Sequence, residues 1–154
     1  MVFLPRLKLK PGQPIFEQIV FAAIRAFVSG EYQPGQPFPS VRALAADLKI
    51  NPTTAHKVIQ HLIQERWLEA HPGLGTVVAK PPLARRRDRK QLLEHELEQL
   101  VVEAKRLGLT MTDLVDGIAV HWSKLDKDQE VANQSWSKLT TFGSGSAVLK
   151  RLKA

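Results

Sequence analysis

Two helix-start signals eleven residues apart, Ser40 and Asn51-Pro52, constrain this chain more than anything else in it. A serine side chain caps a helix by accepting hydrogen bonds from its free backbone N–H groups. Val41, Leu44, Ala45 and Leu48 then recur with the spacing of one helical face. Asparagine is an equally good N-cap, and proline fits the first helical position because the N–H there has no partner anyway. The second helix therefore starts at Pro52 and turns Ala55, Val58, Ile59, Leu62 and Ile63 inward. Thr53, Thr54, His56 and Lys57, short donors and one cation, fall on its other side. Two helices this short with so brief a join form a helix-turn-helix, in which the second helix is the working part.

The flanking sequence predicts the rest of a winged domain. A helix is expected from Pro14 to about Ser29, with Ile15, Ile19, Ala23 and Phe27 on its buried stripe and Phe16, Val20 and Ile24 widening it. Gly30 stops it. Residues 1–13 read as a basic lead-in, in part a strand, closed by the turn Pro11-Gly12. Gln33-Pro34-Gly35-Gln36-Pro37 is a rigid turn into the helix-turn-helix. Trp67–Ala70 and Thr76–Ala79 are β-prone runs around His71-Pro72-Gly73-Leu74-Gly75, a hairpin with a glycine-rich tip where a winged helix carries its wing.

Lys80-Pro81-Pro82 marks a boundary, since neither proline continues a strand or enters a helix interior. Residues 83 to about 107 are expected as one helix ended by Gly108. Leu93, Leu97, Leu100, Ala104 and Leu107 are spaced four, three, four and three, a coiled-coil seam. Thr110 to Asp113 caps another helix, with Val115, Ile118, Trp122 and Leu125 on its apolar face, extending to about residue 140. Two such helices enclose no sizeable pocket but bury their seams against a second copy. The competing arrangement folds them back onto their own winged domain. The fold class is thus mainly α with a small β-hairpin: an N-terminal winged helix-turn-helix domain (1–82), a C-terminal helical dimerisation module (83–140) and a flexible basic tail (141–154). The tail is read from the composition of TTFGSGS and of the basic AVLKRLKA at the end.

Several motifs in one order, PGQPIFEQIV, PGQPFPSVRALAADL, NPTTAHKV and GLGTVV, resemble the DNA-binding domain of the GntR family of bacterial transcriptional regulators. The short C-terminal part is similar to the YtrA-type subfamily. The resemblance implies a homodimer that binds a double-stranded DNA operator. Its DNA-contacting positions fall on Ser40 and Arg42, on Asn51, Thr53, Thr54, His56 and Lys57, and on the wing glycines Gly73 and Gly75. Arg42 otherwise reads as a solvated surface charge, and the two threonines as helix-start residues. Dimerisation would fall to Leu93, Leu97, Leu100, Ala104, Leu107, Ile118 and Trp122. The chain departs from the family at Phe38, at Ile59 and at Arg66, which stands where a glycine with left-handed backbone is usual. Arg66 implies either an altered turn or an added phosphate contact.

Composition agrees with a nucleic-acid partner. The formal charge is +7, and residues 1–80 carry nine Lys/Arg against five Asp/Glu. Absence of cysteine excludes disulfides, thiolate catalysis and cysteine-held metal. The histidines lack metal-ligand spacing, and the sequence offers neither a phosphate-binding loop nor a catalytic constellation, so no metal, cofactor or enzymatic activity is expected. The longest apolar run is too short to span a membrane, and MVFLPRLKLK is unlike a secretion signal, which together point to the cytoplasm. The run Arg85 to Lys90 reads equally as a solvated helix start or as a reach toward flanking phosphates. A small-molecule effector of unknown identity is left open, its place near Trp122 or Trp136. The other functional classes are a winged-helix protein-interaction module and a non-specific architectural DNA-binding protein.

Overall fold

A computed structural model describes residue 4, residues 7–81 and residues 83–141, with the side chains at 136 and 138–141 outside the description. In chain order the elements are α1 (Ile15–Val28), α2 (Val41–Leu48), α3 (Pro52–Gln64), β1 (Leu68–His71), β2 (Gly75–Val78), α4 (Arg86–Gln91), a π turn (Leu92–Glu96), α5 (Leu97–Arg106) and α6 (Met111–Thr141). The described residues fall into two compact units, one drawn from Met1–Pro81 and Asp128–Ala154, the other from Pro82–Lys127.

The first unit is built on three helices whose apolar faces converge. Ile19, Ala23, Ala26 and Phe27 of α1 meet Leu44 and Ala45 of α2 and Ala55, Val58, Ile59 and Leu62 of α3. Each fully buried leucine or isoleucine here contributes roughly 1.5–3 kcal/mol relative to exposure. Ile15, expected on this stripe, is 44% exposed: it is the first residue of α1 and lies beyond the packed turns. An aromatic group then ties the helices to the hairpin. The Phe27 ring stacks on Trp67 with centroids 6.0 Å apart and meets Phe38 edge-on at 5.9 Å. Phe38 and Ile59, two departures from the family pattern, are both buried. Leu7 and Leu9 of the lead-in pack at the edge of the core, but residues 7–10 form no strand. Gln18 holds that segment instead, accepting from the Lys10 N–H at 2.7 Å and donating to the Lys10 carbonyl at 3.0 Å. Just past the middle of α6, Asp128 pairs with Arg25 at 2.8 Å, and Gln129 and Ala132 lie close to Gly30.

The ends of α2, α3 and α5 use one device. A residue at the C-cap of α2, and just after the C-cap of α3 and α5, turns left-handed, its N–H bonds back to a carbonyl three residues earlier, and the next N–H bonds back five residues. After α5 this residue is Gly108 (φ 75°), where the conformation is nearly free. After α2 it is Lys49 (φ 53°), and after α3 it is Arg66 (φ 62°). The Arg66 N–H reaches the Ile63 carbonyl at 3.0 Å and the Trp67 N–H reaches the Leu62 carbonyl at 2.9 Å. Arg66 therefore does not alter the turn; it adopts the glycine geometry and bears the strain of its own Cβ. Arg66→Gly is expected to stabilise the protein by about 0.5–1 kcal/mol, after the larger unfolded-state entropy of glycine is subtracted from a left-handed penalty of roughly 1–2 kcal/mol. Chemical denaturation checks it. A loss of stability would show that the arginine side chain supplies more than its backbone costs.

In the second unit the expected single helix of residues 83 to about 107 begins only at Arg86, and the five-residue π turn Leu92–Glu96 interrupts it. The seam is regular from Leu97 onward but its first residue, Leu93, lies in that wider turn. α6 starts at a two-way cap: Asp113 accepts from the Thr110 N–H at 2.7 Å, and the Asp113 N–H donates to the Thr110 hydroxyl at 3.2 Å. The Thr110 hydroxyl also donates to the Asp113 carboxylate at 2.7 Å, and this bond first, then that from the Thr110 backbone N–H, holds the carboxyl below the usual aspartate range. The helix continues through Thr141, so the first residues of the expected TTFGSGS linker are helical, and the rest of that linker and tail lie outside the described residues.

Candidate nucleic-acid interface

The helix-turn-helix is set by its two caps. The Ser40 hydroxyl accepts from the Ala43 N–H at 3.2 Å, and the Asn51 side-chain carbonyl accepts from the Thr53 N–H at 2.8 Å. Lys49 and Ile50 alone separate α2 from the cap of α3, with Ile50 half-buried and its N–H bonded to the Ala45 carbonyl at 3.0 Å. This fixes how α3 leaves α2. Ser40 and Asn51 thus have a definite local role whether or not they also touch DNA.

On α3 the buried face and the outward face separate cleanly. Ala55, Val58, Ile59 and Leu62 are buried, while Thr53, His56, Lys57 and Gln60 are exposed at three- and four-residue spacing. Thr54 is half-buried and turns partly toward the protein. Gln60 completes the stripe one turn beyond Lys57, and glutamine is a side chain that reads adenine in the major groove. Residue-type matching to the start of the helix overlooks it, although the helical period of the exposed positions marks it. Arg42, one residue into α2, is exposed and makes no ion pair among the described residues, and the same holds for Lys57. Both cations are available to an outside anion. Arg66 lies at the opposite end of α3, about 20 Å from Asn51 at 1.5 Å per residue. That separation sets it apart from the capped end.

The wing is a two-stranded antiparallel hairpin in the register Leu68↔Val78, Glu69↔Val77, Ala70↔Thr76 and His71↔Gly75. Its strands begin and end one residue from the expected bounds, because His71 and Gly75 form the last pair. Gly73 and Gly75 hold φ near 79° and 78° at the tip, and a Cβ added at either would meet nothing within 4 Å. Glycine is required there for backbone conformation and leaves the tip bare, which suits close approach to a groove. A third segment anchors the hairpin. The Phe38 N–H donates to the Thr76 carbonyl at 2.8 Å and the Val78 N–H to the Gln36 carbonyl at 2.9 Å, with Pro37 opposite Val77. The turn expected over residues 33–37 therefore also pairs with the wing. Its prolines hid this in the sequence, since proline is compatible only with edge pairing.

The expected dimer residues differ in exposure. Leu97 and Leu100 are 40% and 45% exposed, Leu93, Leu107, Ile118 and Trp122 are more open still, and Ala104 is buried. Groups of histidine and acidic side chains able to hold a metal ion are absent among the described residues. None of the described helices is long and apolar enough to cross a membrane.

Comparison with known proteins places this arrangement. The profile of bacterial regulatory proteins, gntR family, matches residues 16–78, which run from α1 to the end of the wing. The chain is 30% identical over 111 residues to the uncharacterized HTH-type transcriptional regulator YhcF of Bacillus subtilis (strain 168), covering 72% of this chain and 92% of that protein. It is also 30% identical over 112 residues to the HTH-type transcriptional repressor YtrA of the same organism, covering 71% of this chain and 85% of that one. A crystal structure of a transcriptional antiterminator from Listeria monocytogenes EGD-e shares the fold, with a TM-score of 0.66, 24% identity, and coverage of 80% of this chain and 90% of that chain. The chain belongs to the GntR family of bacterial helix-turn-helix regulators, as a DNA-binding transcriptional regulator of the YtrA-like subfamily.

Proposed function

We propose that this protein is a cytoplasmic homodimeric repressor that binds an inverted-repeat operator through the capped end of α3. The carrying observation is the exposed row Thr53, His56, Lys57 and Gln60 over a fully buried opposite face. A helix locked from behind by Val58 and Leu62 presents those groups without reorganisation, and their chemistry matches base edges and phosphates. Ser40, Arg42 and Asn51 border the row, Thr54 supports it, and Gly73 and Gly75 bring the wing backbone to the adjacent groove. The exposed leucines of α5, together with Ile118 and Trp122 of α6, supply a seam for a second copy, with the module taken as residues 83–140. Two-fold symmetry then dictates two half-sites about one helical turn or more apart. Repression follows the named role of the Bacillus relative.

Selection of bound DNA from a random duplex pool tests this reading. A palindrome is the expected winner, with affinity falling steeply as salt rises. Salt-sensitive binding with no enriched sequence would instead make the protein architectural, and binding to no duplex would favour a protein-docking module.

A further inference from the structure

The densest positive surface lies outside the elements that read DNA. Arg85, Arg86, Arg87, Arg89 and Lys90 place five cations in six residues, with Asp88 the one acid among them. All are exposed. The Asp88 carboxylate is already engaged, accepting from the Arg85 backbone N–H at 3.0 Å. Lys90 has Glu94 at 3.7 Å, whereas the four arginines make no ion pair among the described residues. Arg85, Arg86 and Arg87 also sit at the start of α4, where the helix dipole disfavours cations, whereas Arg89 falls in its last turn. The leading arginines are therefore unfavourable locally, and all four are unpaired among the described residues, so an outside anion can supply their counter-charge.

Chain connectivity limits where that counter-charge lies. Seven residues carry the chain from Val78, the end of the wing, to Arg85, a span of at most about 25 Å when fully extended. Duplex DNA presents a phosphate charge every ~1.7 Å of axis, so when the wing is seated on DNA this span allows the run to reach the backbone beside it. We propose that the arginines of residues 85–89 bind phosphates flanking the half-site, lengthening the footprint without reading sequence. The proposal rests on DNA binding and adds a second contact region to it.

The test compares two duplexes, the selected core alone and the core extended by about ten base pairs, one helical turn, on each side. The wild-type protein is expected to bind the extended duplex at least about tenfold more tightly near physiological salt, with a log–log salt slope steeper by about 0.9 for each additional phosphate neutralised. The full-length variant Arg85→Gln, Arg86→Gln, Arg87→Gln, Arg89→Gln should lose this preference while keeping its affinity for the core and its selected sequence. The corresponding lysine variant should restore it. Equal wild-type affinity for both duplexes would overturn the proposal, as would a glutamine variant that keeps the preference. The wild-type comparison stands even if the glutamine variant fails to fold. A wild type that selects no sequence would refute the operator reading, while a selected core without flank preference refutes only this one.

Discussion

Replacing both Arg42 and Lys57 with alanine is expected to weaken operator binding by on the order of 10²–10⁴-fold, since each lost contact to a base edge or phosphate is worth roughly 1–3 kcal/mol. Both side chains are exposed and make no ion pair among the described residues, so their removal leaves no buried group unsatisfied. Thermal stability should therefore stay within about 0.5 kcal/mol of wild type, the usual range for surface substitutions. Fluorescence anisotropy on the selected duplex, beside a melting curve, separates the two effects. The single variants should differ in kind. An arginine that reads a guanine relaxes sequence preference when lost, whereas a lysine on a phosphate lowers affinity evenly and reduces the salt slope by about one unit. A double variant within threefold of wild type would remove α2 and α3 from the interface.

Charging the seam gives the second large effect. Leu97 and Leu100 are apolar residues left 40% and 45% exposed on α5, one helical step apart on the same face. The double variant Leu97→Asp, Leu100→Asp would bury two carboxylates per protomer in an apolar dimer interface, a cost of several kcal/mol for unpaired charge. The expected result in sedimentation or light scattering is a change from dimer to monomer mass. Affinity for the palindrome should fall to that of a half-site, since the second winged domain no longer binds as a linked unit. The winged unit should keep its own melting transition, because neither residue belongs to its core. If the helices only fold back on their own winged domain, mass would not change and stability would fall instead.

Much of this was legible in the sequence where local chemistry decides structure. Ser40 and Asn51-Pro52 start their helices as capping rules demand, and the buried positions of α3 follow from its period of 3.6. The exposed side of α3 was equally readable at Thr53, His56 and Lys57, but Thr54, expected outward, is half-buried, and only its place on the exposed stripe singles out Gln60. Features that depend on distant partners were hidden. Lys49 and Arg66 take the left-handed conformation because the chain on either side is already packed, and neither residue type announces it. Arg66 stands out only because a glycine is usual there. The pairing of residues 36–38 with β2 is set by tertiary packing and masked by two prolines. The π turn at Leu92–Glu96 leaves the apolar pattern almost unchanged, so the expected seam ran through it unbroken. Ile15 kept the period of the core stripe, but period alone does not show where a helix leaves the core.

In the proposed function the start of α3 reads bases in two symmetric half-sites. The most direct test repeats the selection from random duplexes with the variants His56→Ala and Lys57→Ala and compares each motif with that of the wild type. At least one variant is expected to lose base preference at one position or two adjacent positions of each half-site, in mirror-image places, with the spacing between half-sites unchanged. Motifs from both variants identical to that of the wild type, at whatever affinity, would contradict that reading.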